Sequence, residues 1–395
     1  MIRIGIRNNL FYPSMLVLFI LLRRIVQQVI TDCFKNINPI SLSFLIFLSE
    51  FIFGLIAMRY TIYKKKATNA STIMGITLIE PKEENLQIDD QKTILLLIFF
   101  SSFFNFVGTM NRKFYNIKIE NTLEYRLKCF HILFASILCY YTIKINIYKH
   151  NVFAMILILI CSTIIIFTEI IIKNNSLEDF LNILKDFGLT LFSGFTRAFL
   201  DTIEKHLFEF DYLNPFKVLM MEGLICCIFS LFFYLYCLIF KNDFNYHLYN
   251  NDGNTSINDI IFLIILIIIY FILSGFKSIY VMITIKLYSP MTRGLTETIF
   301  DPITLLYYFI KEKNISNIKI AYYIINFVCL IIIIFGSLVY NDFIILYCCE
   351  LERNTYSEIK KRSLAYDINS MLEEGDSEYN YENDDDIIEL NDKVN

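Results

Sequence analysis

Arg293, Glu297 and Asp301 recur every fourth residue through "TRGLTETIFD", inside an apolar stretch long enough to cross a bilayer. That spacing puts three charges on one face of a helix. A charge at the centre of a bilayer costs about 2.5–3.5 kcal/mol even on the lenient insertion scale. Such residues therefore face a bundle interior or a wet cavity, where they contact a solute, a coupling ion or one another. Similar stripes occur elsewhere. Arg24, Gln28 and Asp32 share one face, as do Arg197, Asp201 and Lys205, with Glu204 adjacent. Glu120 and Glu124 lie close to Arg126 and His131. Glu50 stands near the middle of another apolar run and Glu222 early in a later one, and a buried carboxylate can carry a proton. The substrate-binding or coupling candidates are Arg293, Glu297, Arg197, Asp201, Arg24, Gln28, Glu50, Arg126 and Glu124. The competing reading is internal ion pairs that lock helices, Arg293 with Glu297 and Arg197 with Asp201 within their own helices.

The elements that must carry these residues are membrane helices. Of 395 residues, 56% are hydrophobic, and the apolar runs are continuous over spanning length, about 20 residues for about 30 Å of hydrocarbon. A transmembrane barrel would instead show short alternating segments. The fold class expected is all-α, a polytopic membrane protein of ten transmembrane helices. They lie near residues 11–34, 39–60, 93–111, 119–141, 151–172, 183–206, 215–240, 258–281, 289–311 and 319–341. The first is interrupted by "RRIVQQ", which leaves an interfacial helix as its alternative. Spans five, eight and ten are the most apolar through their middles and read as lipid-facing or scaffold helices. Pro290 and Pro302 mark the start and a kink of the ninth span.

The two halves resemble each other. Tyr140–Lys144 matches Tyr307–Lys311, "IIIF" recurs at 164–167 and 332–335, and Arg126 falls on Arg293. Asn38-Pro39 and Asn214-Pro215 each open a span. A five-helix unit repeated once enters the membrane from opposite sides, giving two inverted repeats with a binding site between them. The division expected is 1–175, 176–345 and an acidic, disordered cytoplasmic tail, 346–395, containing "EEGDSEYNYENDDD". Lys and Arg are more abundant in the loops that share a side with both termini, which places the termini in the cytosol.

Ten cysteines stand mostly inside apolar runs without C-x-x-C spacing and read as small reduced hydrophobes; Cys348 and Cys349 could carry palmitate. The four histidines are scattered, so no metal site is expected. There is no H-E-x-x-H, Walker loop or G-x-S-x-G, which argues against an enzyme and against primary active transport. No cofactor is expected.

Four stretches resemble the drug/metabolite transporter superfamily, nucleotide-sugar-transporter-like branch, the F-type members of solute carrier family 35. They are "YYTIKINIYKHNVFAMILILICSTIIIF", "TIEKHLFEFDYLNPFKVLMMEG" with Glu204, Lys205, Pro215, Glu222 and Gly223, "SPMTRGLTETI" with Thr292, Arg293 and Glu297, and "FGSLVYND" with Gly336, Tyr340 and Asn341. The resemblance covers residues 12–345, and the two middle stretches are its most specific parts. Cys161-Ser162 stands where such helices commonly have Gly, and Asp301 where they are basic or neutral. More distantly the chain is similar to the chloroquine-resistance-transporter type, without that type's large Cys-containing loop between spans seven and eight. The resemblance implies a secondary carrier of a small polar organic solute or metabolite, working by alternating access in an endomembrane (Golgi, lysosome/vacuole or plastid-like organelle). Spans one to four and six to nine would line its cavity. The expected partners are that solute and the lipid bilayer, with a homodimer and sorting or scaffold proteins at the tail also compatible; nucleic acid is not among them. Tyr356–Ile359 fits a Tyr-x-x-apolar sorting signal. The alternative from another class is a non-transporting scaffold or receptor whose acidic tail recruits partners.

Overall fold

The computed structural model describes residues 4–6, 11–34, 39–68, 72–73, 76–77, 88–118, 127–173, 177–240, 257–311 and 317–347, with isolated positions at 351, 355, 358 and 362. Glu120, Glu124, Arg126, Cys348, Cys349, Tyr356 and the acidic stretch of the tail lie outside the described residues.

In chain order the elements are β1 Ile4–Ile6, α1 Phe11–Cys33, α2 Pro39–Thr68, β2 Thr72–Ile73, β3 Ile76–Thr77, α3 Ile88–Lys118, α4 Phe130–Thr142, α5 Lys149–Lys173, α6 Leu177–Glu209, α7 Pro215–Phe240, α8 Ile257–Leu287, α9 Pro290–Thr298, α10 Asp301–Lys311, α11 Asn317–Tyr340 and β4 Ile344–Leu346. Each stretch that hydropathy marks holds a helix in its described residues. Among the described residues seven helices are long and apolar enough to cross a membrane: α1, α2, α3, α5, α7, α8 and α11. These make the chain a polytopic helical membrane protein. α6 is long but carries the Arg197–Asp201–Lys205 stripe, and α4 has 13 described residues. The expected ninth span is two helices. Pro302 cannot donate to the ladder, and its ring crowds the preceding turn, so α9 ends at Thr298 and α10 restarts at Asp301. Ser289 caps α9 by accepting from the Thr292 N–H at 3.1 Å, with Pro290 in the first turn. Asn214 does the same for α7, accepting from the Phe216 N–H at 2.9 Å ahead of Pro215.

The helices pair in a definite pattern. α2 packs along α7 and α5 along α11; α1 packs on α8 and α3 on α6; α4 meets α6 and α9, and α1 meets α9; α2 touches α8 and α3 touches α7. The α2–α7 crossing is tight because both helices present glycine. A Cβ on Gly54 would come within 2.7 Å of the Met220 nitrogen, and one on Gly223 would strike the Phe51 backbone. α1 is an integral member of the bundle, with Leu16, Ile20 and Ile30 fully buried, and not a surface helix. The outward faces are apolar, with Phe167 and Ile171 of α5, Phe232 and Ile239 of α7 and Ile324 of α11 all exposed, as lipid contact requires. α5 and α11 also share polar contacts: Tyr322 donates to Glu169, and the Asn326 amide donates to Thr168 at 3.1 Å.

β1 pairs antiparallel with β4, Ile4 opposite Leu346, which brings the chain start and the end of α11 to one face of the bundle, the termini face. That face is closed by polar ties. Lys205 of α6 donates to the carbonyls of Lys286 and Tyr288 at 3.0 and 3.3 Å. Thr292 donates to Asn341 at 2.7 Å. Asn151 donates to the Tyr340 carbonyl at 2.9 Å, and the Tyr340 and Ser136 hydroxyls bond at 2.7 Å.

The eight described cysteines are free, and all but Cys33 are buried.

Candidate functional site

A cavity of about 440 Å³ lies between α1, α2, α3, α6, α7, α8, α9 and α10. It follows α1 from Ile20 to Val29 and α10 as far as Tyr307, so it extends away from the termini face. Its wall is charged. Six cations line it, Arg23, Arg24, Lys128, Arg197, Lys277 and Arg293, together with the carboxyls of Glu50, Glu204, Glu222 and Glu297.

The paired charges exchange partners between helices. Arg293 of α9 pairs with Asp201 of α6, and Arg197 of α6 pairs with Glu297 of α9 at 2.8 Å. Sequence spacing had offered the within-helix pairs Arg293–Glu297 and Arg197–Asp201. The bundle replaces them because α6 and α9 face each other across the cavity. Asp201 is fully buried and is also bonded at 2.9 Å by His131 of α4. The chain His131–Asp201–Arg293 therefore ties α4, α6 and α9 together. Gly294 permits that approach, since a Cβ there would meet the His131 ring and Ile132.

Asp301 opens α10, where a carboxylate suits the positive end of the helix dipole. Arg24 of α1 and Lys128 flank it at 3.7 and 3.6 Å. Arg24 also donates to the Glu297 carbonyl at 3.0 Å, in the last turn of α9, where carbonyls lack helical donors. Gln28 lines the cavity one turn beyond Arg24. Glu50 of α2 accepts from Ser278 of α8 at 3.1 Å and from Asn105 of α3 at 3.3 Å.

Two cations stand apart. Among the described residues neither Arg23 nor Lys277 has a carboxylate at ion-pair distance; Arg23 lies over the Tyr270 ring at 5.9 Å. Lys277 is absent from the candidates that the sequence offers, because the eighth span reads there as a lipid-facing or scaffold helix. The structure corrects this: α8 turns Lys277 and Ser278 to the cavity while Ile261, Ile265 and Ile268 face outward. The signal was present in "LSGFKS", a lysine set among small residues that permit close helix contact. Lys128 and Arg23 were also passed over, the first beside the marked charges of the fourth span and the second next to Arg24.

The arrangement can hold a small polar solute. The volume falls within the range of about 300–1,000 Å³ for small-molecule sites, and fixed cations in a low-dielectric wall favour anionic groups. Among the described residues no group of three or more metal-ligating side chains converges. The sequence matches no family model, and a search of curated proteins finds no significant relative.

Proposed function

We propose that the protein is a secondary-active carrier of a small organic anion, moved by alternating access between two inverted five-helix halves. The observation that carries this reading is the cavity itself, into which Arg23 and Lys277 face with no carboxylate at ion-pair distance among the described residues. A purely structural network would be expected to give each basic side chain inside the bundle a carboxylate partner. A site kept for an anionic ligand leaves some cations open.

The helix pairing supports the twofold architecture and ten spans, taking α9 and α10 together as the ninth. Exchange each helix of 11–173 with its counterpart in 177–340, and the most extensive helix pairings map onto one another. α1–α8 becomes α6–α3, α4–α6 becomes α9–α1, and α2–α8 becomes α7–α3, while α2–α7 and α5–α11 map onto themselves. The ties at the termini face and the cavity's extension toward the other face fit a carrier closed on one side. The resemblance to the drug/metabolite transporters points the same way and suggests an endomembrane.

Ligand-dependent stabilisation tests the binding claim. A panel of mono- and dicarboxylates, organic phosphates and sugar nucleotides is added to the full-length protein in detergent, and thermal unfolding is followed. A ligand at 100 times its Kd stabilises by about 2.7 kcal/mol. One anionic class should raise the unfolding temperature in the native protein and lose that effect in Lys277→Met. Stabilisation by no anion, with the tail instead capturing a protein partner, favours the scaffold reading.

A further inference from the structure

The anion site leaves one part of the cavity wall unexplained. Glu204 of α6 and Glu222 of α7 both line the cavity, and each is only 1% exposed. The carboxyl of Glu204 comes up to that of Glu222. In each, the Oε2 atom is buried and takes no hydrogen bond from any described residue. The other carboxyls nearby are satisfied: Glu50 by Ser278 and Asn105, Asp201 by His131 and Arg293. Arg293 is 4.0 Å from Glu204 but engaged by Asp201.

Two facing carboxylates with no donor to either Oε2 would combine like-charge repulsion with the loss of solvation. A single proton removes both costs, because a protonated carboxyl donates to its neighbour. The groups around the pair suit such a proton. Ser101 of α3 bonds Glu222 Oε1 and also lies 2.9 Å from the Ile98 carbonyl. Its one hydroxyl hydrogen can go to Glu222, or to Ile98 while the serine accepts from a protonated Glu222. The other charged groups bearing on the pair are Glu50 of α2, Asp201 of α6 and Arg293 of α9, with His131 of α4 acting through Asp201, and Lys277 of α8 lines the same cavity.

We infer that Glu204 and Glu222 form a proton-binding site in the cavity wall, holding one proton between them. The proton is exchanged with cavity water; its release leaves two carboxylates and draws Arg293 from Asp201 toward Glu204. Because Arg293 and Asp201 join α9 to α6, proton occupancy biases that contact. The link to transport rests on the carrier reading; the proton site does not. Glu50, one of the coupling candidates from the sequence, differs from this pair in having two donors.

Infrared difference spectroscopy on the full-length protein in phosphatidylcholine nanodiscs, in sodium-free buffer with H₂O/D₂O exchange, reads the proton directly. At neutral pH a protonated-carboxyl band is expected that disappears in Glu222→Gln and equally in Glu204→Gln, and persists in Glu50→Gln. A native spectrum without such a band, or one unchanged in both folded glutamine variants, overturns the inference. Should those variants not fold, the native protein still decides. Added sodium chloride is expected to leave the band intact, and its displacement by sodium would make this a sodium site instead. Loss of solute flux with the band retained refutes the carrier reading and leaves the proton site standing.

Discussion

Replacing Asp201 by Asn removes the charge that holds Arg293 and His131. Asp201 is fully buried and the Arg293 side chain is 7% exposed, so the guanidinium has little water to turn to. The nearest remaining carboxylate, Glu204, is 4.0 Å away. Breaking a buried pair from one side costs about 3–5 kcal/mol, because it strands the partner's charge. Arg197→Gln breaks the pair with Glu297, whose side chains are 15% and 11% exposed along the cavity, and solvent there reduces the loss to about 1–2 kcal/mol. The assay is equilibrium unfolding of the purified protein in mixed micelles, with monomer recovery after heating as a second readout. Asp201→Asn should lower the folding constant by about two to four decades, at 1.4 kcal/mol per decade, and Arg197→Gln by about one. Asp201→Leu with Arg293→Met should recover most of the loss, since an apolar replacement of a whole buried pair is often neutral. If Asp201→Asn costs no more than Arg197→Gln, or if the double variant is no better than the single, this account of the α4–α6–α9 junction is wrong.

The remaining predictions separate packing, capping and targeting. Gly223→Ala forces a Cβ into the Phe51 backbone and should destabilise by about 1–3 kcal/mol or more, measured by the same unfolding assay. Gly188→Ala meets nothing within 4 Å in the interior of α6 and should stabilise by about 0.5–1 kcal/mol. Ser289→Ala removes the α9 cap and should cost about 1 kcal/mol. A fluorescent fusion ending before Tyr356 should leave its native compartment if the Tyr356–Ile359 sequence is a sorting signal; unchanged localisation removes that role.

Much of the architecture was legible because lipid imposes a coarse rule. A helix that crosses hydrocarbon must be apolar over about 20 residues, and hydropathy reads this directly. Capped and proline-marked helix starts, at Pro215 and Pro290, were legible for the same local reason. Charges inside apolar runs pointed to the cavity, and Arg24, Gln28, Glu50, Arg197, Arg293 and Glu297 do line it. Asp201 stands just behind it, holding Arg293. The choice of partner was not legible. Periodicity places Arg293 and Glu297 on one helical face but says nothing of the helix opposite, and it is α6 that supplies Asp201 and Arg197. Lys277 escaped for a related reason. A lone lysine in an apolar span has no charged neighbour to form a stripe, and its significance comes from α1 and α2 packing against α8.

The central claim is that the cavity carries an anionic solute between compartments. Its most direct test is exchange into proteoliposomes preloaded with an unlabelled cytosolic metabolite extract, offered the isotope-labelled extract outside and read by mass spectrometry. The account predicts saturable accumulation of one class of small anions, reduced at least tenfold in Lys277→Met and unaffected in Lys92→Met, which lies outside the cavity. Accumulation no greater than in empty liposomes, with the reconstituted protein folded, or accumulation indifferent to Lys277, would contradict it.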